Sequence, residues 1–146
     1  MNCIVIDDED TARAIVGHLV EEHPDLELLD NFESAINAIK YLNENAVDLI
    51  FLDIHMPMFT GFDFIKTIKS PPKIILTTTD KDFALQAFEY DCIVDYLMKP
   101  ISLERFDKGV EKAMAIQKDT EVTYDNPFPD EAIDDLYVNI DRRLVK

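Results

Sequence analysis

Leu49-Ile50-Phe51-Leu52 runs directly into Asp53 and is followed by Ile54-His55-Met56-Pro57. It is the most apolar run of the chain and the best candidate for the central strand of a parallel sheet, buried on both faces. A carboxylate at the end of such a strand emerges from the core at its mouth. Burying a polar group without a partner costs roughly 2–7 kcal/mol even when it is neutral, so an unpaired Asp53 carboxylate would be expensive. A helix N-cap is the bland alternative, but Pro57 and Gly61 delay the next helix well past Asp53. Asp53 therefore reads as functional.

The same alternation continues on both sides. Residues 3–6 form a short strand-like run, after which Ala12, Ile15, Val16 and Leu19 recur at helical spacing. Residues 26–29 read as an edge-like strand, with a helix marked by Ala35, Ala38, Ile39 and Leu42. Phe64, Ile65 and Ile68 mark a third helix, which Pro71-Pro72 ends. Residues 74–76 are a fourth strand and Phe83, Ala84, Ala87 and Phe88 a short fourth helix. Residues 93–98 are a fifth strand. Leu103, Phe106, Val110, Ala113 and Met114 then give the longest helical stripe, with Ser102 as its N-cap. Five β-α units in succession predict an α/β fold, a doubly wound five-stranded parallel sheet with helices on both faces and right-handed crossovers.

Length, charge and cysteine usage bound the function. The chain has 146 residues, enough for one domain and a tail. Thirty acids against 14 bases give a net charge of −16, which would repel a nucleic-acid backbone. No apolar stretch approaches a membrane span, no signal peptide precedes the first strand, and Cys3 and Cys92 lie far apart, so a cytoplasmic protein with reduced core thiols is expected. His18, His23 and His55 have no zinc-site spacing. Residues 1–118 read as one domain. Residues 119–135 carry seven acids, two prolines and no base, as suits an extended linker. Residues 136–146 read as a new strand and the start of an incomplete further element.

Strand ends of one polarity share a rim in a parallel sheet, and such rims bind ligands. Here that rim gathers Asp7-Asp8-Glu9 after the first strand, Asp53 after the third, Thr77-Thr78-Thr79 at the fourth and Lys99-Pro100 after the fifth. A short acidic cluster is usually a solvated loop, and a lone lysine usually a solubilising residue. Their common place at strand ends favours function instead. Asp7, Asp8 and Asp53 brought together would repel one another, and a hard cation removes that penalty. Magnesium fits best, since it takes one or two carboxylates and bridges to phosphate, although calcium and manganese suit the same ligands. A carboxylate nucleophile, a cation, a lysine and a hydroxyl donor are together the parts needed to form an aspartyl-phosphate.

Asp7-Asp8, Asp53-x-x-Met56-Pro57-x-x-x-Gly61, Thr78 and Tyr96-x-x-Lys99-Pro100 resemble, in order and spacing, the receiver domain of bacterial two-component response regulators. The resemblance implies a flavodoxin-like (βα)5 sheet of order 2-1-3-4-5. It implies Asp53 as the phosphoacceptor served by a sensor histidine kinase, and Mg2+ held by Asp8, Asp53 and the His55 carbonyl, with Asp7 acting through water. Lys99 would pair with the phosphoryl group, while Thr78 and Tyr96 would be the switch residues. His55 also sits where the family tunes dephosphorylation, and Thr79 where it usually has alanine. The run 83–89 before Asp95-Tyr96-Leu97 is similar to the LytTR-type subgroup, and residues 136–146 resemble the opening of a LytTR DNA-binding domain. A homodimer through the helix 4–strand 5–helix 5 face is a further implication, with DNA contacted only by the missing C-terminal domain.

Three rivals are weaker. Haloacid-dehalogenase-like phosphatases usually carry a second aspartate two residues after the nucleophile, where this chain has His55. A flavodoxin-like cofactor binder needs a phosphate loop after the first strand, where Asp7-Asp8-Glu9 would repel a phosphate. A phosphorylation-independent interaction module of the same fold would not need every acid, the lysine and the threonine.

Overall fold

The computed structural model describes residues 1–57, 59–80, 84–87 and 89–122. Strands β1 (Asn2–Ile6), β2 (Glu27–Phe32), β3 (Leu49–Asp53), β4 (Lys73–Thr78) and β5 (Ile93–Met98) alternate with helices. The helices are α1 (Asp10–Glu22), α2 (Ala35–Glu44), α3 (Gly61–Thr67), α4 (Ala84–Ala87) and α5 (Leu103–Val122). All strand pairs are parallel and the order is β2-β1-β3-β4-β5, so β3 is central as its composition requires.

Period-two alternation sorts the strand side chains. Ile4, Ile50 and Ile74 lie in register, as do Ile6, Leu52 and Leu76, and both rows join one core with Ala35, Ala38, Phe64 and Ile65 of α2 and α3. On the opposite face Phe51 stacks on Phe106 of α5 at 5.3 Å. Every residue of β3 is buried, whereas the edge strands β2 and β5 are only partly so. Cys3 is fully buried, and desolvation pushes its thiol up to about 12, which leaves it inert; Cys92 is half-buried.

Some local expectations need correction. In α1 the buried residues are Val16, Gly17 and Val20, and Ile15 is 48% exposed. Gly17 faces Leu28 of β2, which turns the helix away from the stripe that Ile15 suggested. Leu103 is 58% exposed because it opens α5 before that helix meets the sheet, and Phe106, Val110 and Ala113 are buried instead. β2 extends past residue 29 to Phe32, because its polar residues Asp30 and Asn31 pair with Ile4 and Val5 at an edge where burial is not required. α3 closes at Thr67, before Pro71-Pro72. α5 continues to Val122, into the stretch read as an extended linker, since no proline interrupts residues 103–126. The expected contributions of Phe83 and Phe88, the rest of the linker and the strand at 136–140 lie outside the described residues.

The chain divides into two units, Met1–Ala113 and Met114–Lys146, and the five strands among the described residues belong to the first. Among the described residues no helix is long and apolar enough to cross a membrane.

One glycine matters to the rim. A Cβ on Gly61 would lie 2.9 Å from the Asp53 carbonyl oxygen and 3.0 Å from the Ile54 Cα, and the Gly61 N–H donates to the Ile54 carbonyl at 2.9 Å. The start of α3, capped by Thr60 and Asp63, is therefore pressed against the backbone that carries Asp53. Gly61→Ala is expected to cost about 1–3 kcal/mol in urea unfolding, because the contacted atoms are backbone and cannot yield locally.

Candidate functional site

The rim at the strand C-termini assembles four side chains. Oxygen atoms of Asp7, Asp8 and Asp53 lie within 4.8 Å of one another. The Lys99 ammonium sits 2.9 Å from Asp7 Oδ2, 3.5 Å from Asp53 Oδ1 and 3.7 Å from Glu9 Oε1. The strand register explains the convergence: Ile6 pairs with Leu52, Asp53 with Thr77 and Thr78 with Met98, so the residues that follow leave the sheet at one level.

Burial sets the electrostatics. Asp7 and Asp53 are almost fully covered, at 1% and 3% exposure. Desolvation, then the Asp7 charge, pushes Asp53 from 3.8 up to about 7, against the Lys99 charge and the His55 N–H that pull it down. For Lys99, burial favours the neutral amine, but its hydrogen bond to Asp7 and the Asp53, Asp7 and Glu9 charges outweigh that and hold the ammonium above its usual value. One cation thus faces more negative charge than it can neutralise. That imbalance, with three carboxylates converging on one point, is the donor set of a hard divalent cation such as magnesium.

Each expected residue has a definite place. His55 is exposed at its side chain, while its N–H donates to Asp53 Oδ1 at 3.3 Å, which orients the carboxylate. Thr78 is buried, and its hydroxyl accepts from the Asp80 N–H at 2.9 Å and donates to the Asp80 carbonyl at 3.4 Å. The hydroxyl is therefore engaged with the loop after β4 rather than free to turn at no cost. Tyr96 is half-buried against the α2–α3 core. The Lys99–Pro100 peptide is cis.

Two arginines escaped the sequence reading. Arg13 donates to the Asp7 carbonyl at 2.8 Å, to Asn31 Oδ1 at 3.1 Å and to Asp10 Oδ1 at 2.6 Å, tying the ends of β1 and β2 to the first turn of α1. It steadies the backbone that presents Asp7 and Asp8. Arg105 forms a fork on the buried Asp95, with bonds of 2.7 and 2.8 Å. A buried aspartate within an apolar strand, followed by an arginine in the next helix, was the available signal for the second pair. Arg13 left none, because its targets include a main-chain oxygen.

A groove of about 550 Å³ adjoins the rim, lined by Ala12, Ile15, Val16, Thr79, Pro100 and Ile101 among others. The exposed Ile15 forms part of its wall.

Comparison with known proteins agrees with this geometry. Residues 3–111 match the model of the response regulator receiver domain family. The chain is 37% identical over 115 residues to the sensory transduction protein LytR of Staphylococcus haemolyticus, covering 77% of this chain and 44% of that protein. It is 34% identical to LytT of Bacillus anthracis, covering 77% and 46%. The chain thus spans about half the length of the curated relatives it matches. Among solved structures, the response regulatory domain of mrkE from Klebsiella pneumoniae superposes with a TM-score of 0.72 at 30% identity, over 81% of this chain and 98% of that one. A receiver domain from Clostridium thermocellum gives 0.68 at 27% identity, over 80% and 96%. Fold, rim and relatives coincide, and the chain belongs to the response regulator receiver domain family, with LytR- and LytT-type response regulators among its relatives.

Proposed function

We propose that this chain is a phosphorylation switch in which Asp53 accepts a phosphoryl group from a phosphohistidine of a sensor kinase. The observation that carries the reading is the buried Asp53 carboxylate beside Asp7, Asp8 and the Lys99 ammonium. In the transfer, an Asp53 oxygen bonds to phosphorus as the bond from phosphorus to the donor imidazole breaks, and the imidazole leaves with the electron pair and takes up a proton. Asp8, Asp53 and the His55 carbonyl, with Asp7 through water, would hold magnesium, which when bound offsets the negative charge of the carboxylates and the phosphoryl oxygens. Lys99 holds position for a phosphoryl oxygen. Once that group is present, the Thr78 hydroxyl exchanges its Asp80 partners for it, and the Tyr96 ring turns inward into the vacated space.

The reading extends to the full-length protein. Residues 1–118 act as receiver, 119–135 as a linker that begins with the last turn of α5, and 136–146 as the opening of a LytTR-like domain that binds DNA and controls transcription in the cytoplasm. The greater length of the relatives supports that architecture. The face of α4, β5 and α5 is the expected dimer surface.

Intact mass after incubation with acetyl phosphate tests the chemistry. A gain of one phosphoryl group only with magnesium is expected; a gain without it, or none even from a phosphorylated histidine kinase, would refute the assignment. The proton on Asp53 also makes magnesium binding pH-dependent. Because that carboxyl sits near 7, protons compete below this pH and leave the site above it. Added MgCl2 is expected to raise Tm more at pH 8 than at pH 6. An equal rise at both would show that Asp53 is not a ligand.

A further inference from the structure

Asp95 is the remaining buried acid of the sheet that the phosphoryl chemistry does not use, 7% exposed on the face that α5 covers. β5 is an edge strand, so half of its backbone groups have no strand to pair with. The Lys99 N–H reaches back to the Thr78 carbonyl on β4, and by alternation the polar groups of Tyr96 point to the open edge. There the Tyr96 N–H donates to Asp95 Oδ1 at 2.9 Å, and Arg105 Nη2 donates to the Tyr96 carbonyl at 3.0 Å. The same guanidinium forks onto Asp95 at 2.7 and 2.8 Å, and Lys112 adds a contact at 3.4 Å. Asp95 and Arg105 thus take the place of a sixth strand at a single residue, and that residue is Tyr96.

We propose that Asp95 and Arg105 are a positioning pair that clamps the outer edge of β5 at Tyr96 and carries movement of Tyr96 into the first turn of α5. The inference rests on the reading of Tyr96 as a switch residue. Arg105 is well placed for this. Its own N–H is held by the Ser102 hydroxyl at 3.2 Å and the Phe106 N–H by the Ser102 carbonyl at 2.9 Å, so the guanidinium is anchored to a capped, ordered turn. Opening the fork would leave a buried carboxylate without its main partner, which is strongly unfavourable. The pair therefore stays closed in both states of the switch. Any shift of the Tyr96 peptide must then displace Arg105 and the start of α5 with it. Lysine cannot replace Arg105, because one ammonium cannot fork onto a carboxylate and also reach the carbonyl.

Amide NMR of the 146-residue chain, with and without acetyl phosphate and magnesium, tests the clamp in the parent protein, Arg105→Lys and Arg105→Met, with intact mass confirming phosphorylation in each. In the parent, phosphorylation is expected to shift the amides of both Tyr96 and the first turn of α5. In both variants phosphorylation and the Tyr96 shift should persist while the α5 shift is lost. If Arg105→Met does not fold, Arg105→Lys, which keeps the charge, decides alone. An α5 shift retained at parental size in a folded variant would overturn the clamp and leave Arg105 a purely structural residue. A parent protein that is phosphorylated but silent at Tyr96 would overturn the switch reading, and the clamp with it.

Discussion

Asp53→Asn is expected to take up no phosphoryl group from acetyl phosphate and magnesium, under conditions in which the parent chain gains one per molecule. The amide is isosteric, so the rim keeps its shape, but its oxygen is a poor nucleophile and the negative charge is gone. The same variant carries a second, independent signature in stability. Asp53 in the folded chain titrates near 7, above its ordinary 3.8, because burial and the Asp7 charge oppose ionisation. A carboxyl raised in the folded state binds its proton longer there than in the unfolded chain. Its destabilising effect is therefore absent below about pH 4, grows between pH 4 and pH 7, and is complete above pH 7. Without magnesium, Asp53→Asn is expected to be the more stable protein in urea at pH 8, with the advantage vanishing near pH 4. A variant that is less stable at pH 8, yet still phosphorylated, would remove Asp53 from the centre of the site.

Lys99→Met is the second large effect, and it acts in the opposite direction on stability. Its ammonium bonds Asp7 at 2.9 Å and lies 3.5 Å from Asp53, and both carboxylates are buried. Removing one partner of a buried charge cluster leaves uncompensated charge, at a cost of about 3–5 kcal/mol. At pH 8 without divalent cations the variant should lose that much in urea unfolding, and MgCl2 should return most of it, since a cation supplies the missing positive charge. Phosphorylation by acetyl phosphate should slow by about 10²-fold, the usual effect of deleting one preorganised charge at a transferring group. An unchanged rate would show that Lys99 is a structural counter-ion alone. Lys99→Arg, which keeps the charge on a longer, planar group, separates the two roles by restoring stability more fully than rate.

Much of the fold could be read in the order of residues. The runs 3–6, 49–52 and 74–76 are short, apolar and separated by helical spacing, and each lies within an observed strand because full burial on both faces leaves few other uses for such a run. The partly buried edge run 93–98 coincides with β5 through the β-propensity of Ile93, Val94 and Tyr96. The placement of Asp7, Asp8, Asp53 and Lys99 on one rim followed from the same fact, since a polar residue that ends a buried parallel strand has one direction in which to leave. Where burial is partial the reading weakened. Edge strand β2 ran further than its apolar residues indicated, and the buried face of α1 rotated away from Ile15.

What the sequence determined by itself was thus the parallel α/β architecture and the acids and lysine of its rim, because both depend on local pattern and on the common polarity of the strands. Only the tertiary structure decided how those groups are held. The Asp80 partners of Thr78, the grip of Arg13 on the Asp7 carbonyl, the contact of Gly61 with the Asp53 backbone and the Asp95–Arg105 clamp around Tyr96 all turn on distances to particular atoms, several of them main-chain. Backbone oxygens, and the amide protons of every residue but proline, are alike along the chain and leave no mark in a sequence. Their partners become visible only when the chain has folded and each buried polar group has had to find one.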